Sequence, residues 1–241
     1  MELEAVNLAE RPDLAGAVGA VPASMPAFVG HDPMDPVMFA CFLRHPPFQL
    51  GIRDGERVVA RAHSLPFHLP GGPEGLPSQG LDAVIGSVAR AREEPNAVCA
   101  VLIAVPPAEQ GRGLSGVALQ AMAENARRQG HTDLYAPVRP TLKHLEPDTP
   151  MTEYAIRTRA DGLPHDPWLR VHVRMGGEII RACPASMTIA GSIADWRSWT
   201  GMPLDEDGPV EVPGALAPIW VDNGGDRAVY VEPNVWVRHR L

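Results

Sequence analysis

Residues Glu109 to Gly116 read EQGRGLSG, a stretch whose composition suits a loop that holds phosphate. Gly111, Gly113 and Gly116 follow the GxGxxG spacing of dinucleotide-binding turns. The same letters also fit a second phosphate-holding loop, in which Gln110, Gly113 and Ser115 are the spaced positions. Both work by the same physics. A helix start offers free N–H donors and roughly +0.5 of a charge, and glycine removes the Cβ that would keep the backbone from phosphate oxygens. Two demands separate them: a dinucleotide turn follows its strand directly, and an acidic residue ends the next strand to hold the ribose. Here PPAEQ stands between the apolar run AVCAVLIAV and Gly111, and the next strand ends APVRP without an acid. Asp133 lies at that strand's start, the wrong end. A mononucleotide loop fails as well, because no Lys-Ser/Thr pair closes it.

The longer string VLIAVPPAEQGRGLSGVALQAMAENARRQG resembles the GCN5-related N-acetyltransferase (GNAT) superfamily. Its acyl-CoA motif is Gln/Arg-x-x-Gly-x-Gly/Ala after a strand ending Val-x-Pro. Val105 and Pro107 supply the lead-in, and Gln110, Gly113 and Ser115 fill the motif, with serine where the family has glycine or alanine. The segments APVRP, DGLPHDPWLRVHVR and EPNVW are similar to a longer bacterial GNAT-like group. The resemblance implies acetyl-CoA, or another acyl-CoA, as co-substrate and no metal. It places the pantetheine arm along the strand from Leu102 through Ile103 and Ala104 to Val105, and the pyrophosphate on Gln110, Gly111, Arg112, Gly113, Leu114, Ser115 and Gly116. A strand N–H would polarise the thioester carbonyl. In the family a tyrosine four residues before a Gly-Phe pair returns the proton to the thiolate. Counting back from Gly176 puts His172 in that slot, a group able to donate near neutral pH; counting from Gly177 gives Val173 and no acid. A histidine packed against the sheet is the competing role. Candidate bases lie in the long segment 139–165 and just after it: Glu153, Tyr154, Asp161, His165 and Asp166, the last also reading as a helix N-cap. Glu109 reads as a solvated surface acid.

The elements that would position these residues follow from periodicity. FQLGIRDGERVVARAHSLPF is a hairpin turning at Asp54-Gly55, and LDAVIGSVARAREE has helical spacing that stops before Pro95. AVCAVLIAV is a buried strand, a helix from the loop to about Gln129 is capped by Gly130, and DLYAPV is the next strand. Asp166-Pro167 starts a helix that ends at Gly176-Gly177. PVMFACFLRH is helix-like, and EIIRA, MTIAG, APIWV and AVYVE are strands. The fold expected is α+β: a GNAT-like, twisted, mostly antiparallel sheet flanked by helices, with extra terminal segments. It is read as a single domain over 1–241, with a motif core over about 48–200 and a C-terminal strand extension over 201–241.

The chain has 241 residues, a formal net charge of −8 and 45% hydrophobic residues, a globular composition rather than a disordered one. The acidic balance argues against a general nucleic-acid binder. Cys41, Cys99 and Cys183 are dispersed, so a reducing, cytoplasmic setting is expected. No run approaches the ~20 apolar residues of a membrane helix. His144, Glu146, Asp161 and His165 match no metal-ligand spacing. The five tryptophans lie in the C-terminal half and serve packing, an aromatic pocket or a homodimer contact. Two functions stay open: an N-acyltransferase carrying acetyl to an amine of a small molecule or protein by direct attack in a ternary complex, and a non-catalytic acyl-CoA sensor. A nicotinamide-dependent oxidoreductase is the weakest reading.

Overall fold

The computed structural model describes residues 3–90 and 92–241. The strands are β1 (Leu3–Asn7), β2 (Gln49–Asp54), β3 (Arg57–Phe67), β4 (Ala97–Ala104), β5 (Asp133–Val138), β6 (Glu178–Gly191), β7 (Gly208–Val210), β8 (Ile219–Asp222) and β9 (Arg227–Arg240). The helices are α1 (Ala15–Gly19), α2 (Asp35–Arg44), α3 (Gly80–Arg90), α4 (Leu114–Arg128), α5 (Met151–Tyr154), α6 (Pro167–Arg174) and α7 (Ile193–Thr200). The strands form one nine-stranded sheet ordered β1-β2-β3-β4-β5-β9-β8-β7, with β6 also on β9. Every pairing is antiparallel except β4 with β5. This is the mixed, mostly antiparallel sheet expected from the sequence.

Alternation along β4 divides the core. Val98 faces one side, where Leu114, Ala118, Leu119 and Met122 of α4 pack on Leu50, Ile52, Ala60, Ala62 and Leu134. Cys99 faces the other, where Val84, Ile85 and Val88 of α3 meet Leu65, Phe67, Tyr135 and Trp236. The apolar positions of α4 recur at helical spacing, so its burial against the sheet fixes where its N-terminus points.

Several elements differ from their sequence expectations, the short α1, α5 and β7 having no counterpart there. EIIRA and MTIAG are one strand, β6, bent by a register shift between Cys183 and Met187; the irregular stretch between them hides the continuity. The short strand β1 and the helix α7 were not foreseen. The segment 201–241 is not simply an extension, because β9 lies at the middle of the sheet. It pairs with β5 from Asp133↔Arg240 to Val138↔Val235 and with β6 along its other edge. Only β7 and β8 extend the sheet's end.

The long segment after β5 is held by buried polar atoms. Asp166 caps α6, accepting from the N–H groups of Trp168 (2.9 Å) and Leu169 (3.1 Å) on Oδ1. Its Oδ2 accepts from Leu142 N–H (2.9 Å) and the Tyr154 hydroxyl (3.0 Å). Lys143, the only lysine, is fully buried and donates to the carbonyls of Glu146, Pro147 and Leu216. These bonds satisfy groups whose burial would otherwise be costly.

Candidate active site

The fold opens at its centre. β4 and β5 run parallel but pair only at Val98↔Leu134 and Cys99↔Tyr135, although β4 continues to Ala104 and β5 to Val138. On its other side, β4 steps from His63↔Leu102 to Ser64↔Ala100 against β3. Val101 is therefore a bulge with no cross-strand partner on either neighbour. A bulge at the mouth of two diverging strands re-aims backbone polar groups toward the gap. An extended ligand arm entering there would pair with β4 as a strand does.

One end of the gap leads to a cavity of about 340 Å³ lined by Leu102, Ile103, Ala104, Val105, Gln110, Gly111, Gly113, Leu114 and Ser115, closed by Thr141 and Trp168. Gly111 and Gly113 have φ of 78° and 74°, left-handed values that explain glycine at both positions. A Cβ on either would meet no atom within 4 Å, so the backbone faces open space. The helical ladder of α4 begins with Gly116 and Val117 donating to the Gly113 carbonyl. The N–H groups of Gly113, Leu114 and Ser115 precede that ladder, as at any helix start, a position whose free donors suit an anion.

Of the motif residues, Ile103, Ala104, Val105, Gln110, Gly111, Gly113, Leu114 and Ser115 line this cavity, while Arg112 and Gly116 do not border it. Arg112 braces the loop from beneath, donating to Asp54 at 2.6 Å and to Glu109. Glu109 is not the solvated acid expected: its side chain is 14% exposed and also holds Arg57 at 2.7 Å. These two arginines hold its carboxyl below the usual range, by hydrogen bonds from Arg57 first and then Arg112.

The other end leads to a second cavity of about 330 Å³. Leu102, Ala23 and Met25 border both cavities, so the two meet over β4. Its walls come from distant segments: Asp35 and Met38 of α2, Arg61 of β3, Arg139 after β5, and Glu232 and Asn234 of β9. The last two sit where the edge of β9 that carries β8 (Arg227–Val229) and β5 (Val235–Arg240) has neither as partner. Glu232 is fully buried. Its carboxylate accepts from Arg139 Nε and the Tyr230 hydroxyl at 3.0 Å each, and from Asn234 Nδ2 at 3.0 Å. Near this cavity wall the buried Asp32 carboxyl stands close enough to Asp82 to raise its hold on protons. Burial is the largest cause that pushes Asp82 up to about 7, with Asp32's charge second, and burial also pushes Asp32 up to about 6. Burial raises Asp35 as well.

The three residues read as catalytic do not border either cavity. His172 is 2% exposed, its Nδ1 lies 2.9 Å from His239 Nε2, and burial and then His239 lower it to about 3. It has the environment of the competing packing role. Tyr154 is buried against Asp166, and Glu153 is exposed on α5. Trp168 borders the motif-loop cavity, whereas Trp196 and Trp236 are core. Sequence reasoning missed Asp35, Arg61, Arg139 and Glu232; the EPNVW segment was singled out, but nothing in it signalled a central strand. Among the described residues, no cluster of three His, Cys, Asp or Glu side chains could hold a metal, and no helix is long and apolar enough to cross a membrane.

Comparison with known proteins agrees with this geometry. No family model matches the chain. An arginine N-acetyltransferase, avaD of Aspergillus versicolor, is 34% identical over 209 residues, which are 77% of this chain and 71% of that one. Two solved structures have the same fold at low identity. The loading GNAT-like domain of CurA from Lyngbya majuscula superposes with a TM-score of 0.61 at 17% identity, over 99% of this chain and 96% of that one. A GphF GNAT-like decarboxylase in complex with isobutyryl-CoA gives 0.58 at 15% identity, over 100% and 99%. With a splayed parallel pair, a bulged β4 and a glycine loop at the start of α4, the chain belongs to the GNAT superfamily of acyltransferase-fold enzymes.

Proposed function

We propose that this enzyme transfers an acetyl group from acetyl-CoA to an amine of a small, cationic molecule. The observation that carries the reading is the adjacency of two cavities beside the bulge in β4, one on the motif loop and one whose walls carry Asp35 and Glu232 with Arg61 and Arg139. The pyrophosphate rests on the N–H groups before α4, and the pantetheine arm lies along Leu102 to Val105. A β4 N–H near Val101 polarises the thioester carbonyl, and such a donor stabilises the charge that develops on the oxygen. The amine enters from the second cavity. As an ammonium it first loses a proton, for which Asp35 is the carboxylate on the cavity wall whose affinity for protons burial has raised. The free amine attacks the carbonyl carbon, the C–N bond forms, the C–S bond breaks, and the departing thiolate takes the second proton.

The Asp35 carboxylate on the cavity wall suits an ammonium group, and the relative from Aspergillus versicolor is named for arginine. The test is incubation with acetyl-CoA and a panel of cationic amines, with products read by mass spectrometry. A product carrying one acetyl group and an equal amount of free CoA are expected. Stabilisation by acetyl-CoA with no acetylated product from any amine contradicts transfer and leaves a sensor.

A further inference from the structure

Arg61 stands apart from the other charged groups of the second cavity. It lies on β3, half-buried, and lines the cavity beside Val101 and Leu102. Its Nε is buried without a hydrogen-bond partner, and its guanidinium makes only a long 3.4 Å contact from Nη1 to the Gly19 carbonyl. No described carboxylate stands within ion-pair distance of it, whereas Arg139 in the same cavity is paired with Glu232 and bonded to the Gly214 carbonyl. A guanidinium presents a fork of donors that matches a carboxylate, and withdrawing it from water without a counter-charge is unfavourable. Arg61 therefore has an unmet demand for an anion, directed into the acceptor cavity.

The register fixes how far that demand is from the chemistry. Arg61 opposes Ala104, three residues along β4 from the bulge at Val101, or about 10 Å of strand. An arginine side chain and the two bonds from a carboxylate carbon to its α-nitrogen bridge that span. Given acyl transfer as proposed above, on which this step rests, we propose that the acceptor is an α-amino acid. Its carboxylate is held by Arg61 and its α-amine presented to the thioester. Asp35 remains the acceptor of the α-ammonium proton, and the amino-acid side chain takes the rest of the cavity.

The test compares each basic amino acid with its decarboxylated amine: arginine with agmatine, ornithine with putrescine, lysine with cadaverine. CoA release from acetyl-CoA is followed with the full chain, and acetyl-CoA affinity is measured separately by calorimetry. For at least one pair, kcat/KM for the amino acid should exceed that for the amine by about a hundredfold, the scale of a lost charge-assisted contact. The product should carry the acetyl group on its α-nitrogen. In Arg61→Ala the amino acid should fall to the level of the amine, Arg61→Lys should recover part of the difference, and acetyl-CoA affinity should stay unchanged in both. Equal rates for amino acids and amines, or full discrimination in Arg61→Ala, overturns the inference while leaving acyl transfer standing. CoA release with none of the six compounds, from a protein that binds acetyl-CoA, overturns both.

Discussion

The two halves of the cleft are built by different means. The half on the motif loop uses consecutive residues and backbone groups: glycines at positive φ, the N–H groups before α4 and the free edge of β4. The other half uses side chains from α2, β3, the segment after β5, and β9, scattered between Asp35 and Asn234. A ligand shared by a whole superfamily is met by backbone geometry that short sequence can encode. A ligand particular to one branch is met by charges that only the tertiary fold brings together.

The largest effect should come from the buried group behind the wall of the motif-loop half. Asp166→Ala frees Leu142 N–H, the Tyr154 hydroxyl and the first N–H groups of α6, beside Thr141 and Trp168 of the cleft wall. A loss of about 2–4 kcal/mol in denaturant-measured stability is expected, with weaker binding of acetyl-CoA. Gly113→Val should separate the halves. A non-glycine residue at φ 74° costs ~1–2 kcal/mol, and its side chain fills open space over the loop. Calorimetry should show acetyl-CoA binding weakened at least about tenfold, and damage to the acceptor side alone would contradict the assignment.

The Asp32–Asp82 pair gives a pH signature to the acceptor half. Both carboxyls bind protons more tightly in the fold than in the unfolded chain. Between about pH 4 and pH 7 the folded state therefore holds the extra protons, and their contribution to stability falls as pH rises through that window. Asp82→Asn should flatten this fall and stabilise the protein at pH 8 by on the order of 1 kcal/mol after solvent screening. An unchanged pH profile of the melting temperature would remove the pair from the account. The smallest effect is expected from His172→Phe. A proton donor must reach the reacting atoms, and His172 faces His239 in the core. CoA release should change by less than about twofold, apart from lost stability; a rate collapse in a folded variant would restore the catalytic role.

The order of most elements was legible because hydrophobic period and turn chemistry are local signals. The hairpin at Asp54-Gly55, β4, α4 and the Asp166 cap of α6 all read directly from their residues. The continuity of β6 was hidden by its bulge, and β9 looked like a tail because nothing local reveals which strand lies beside β5. In the site, Gln110 to Ser115 announced themselves through glycine spacing. Arg61 and Glu232 look like ordinary strand residues until the sheet opens beside them, and in an arginine-rich chain an arginine carries little information by itself. The register count that selected His172 identified a helix position correctly placed along the chain but turned toward His239.

The claim that the two cavities form one cleft over β4 can be tested with a single conjugate, CoA joined through an acetyl bridge to the α-nitrogen of arginine. If both ends are engaged at once, its affinity should exceed that of CoA by at least about a hundredfold, because the second contact becomes intramolecular. Affinity no greater than that of CoA alone would mean that the motif-loop cavity and the charged cavity do not serve one reaction.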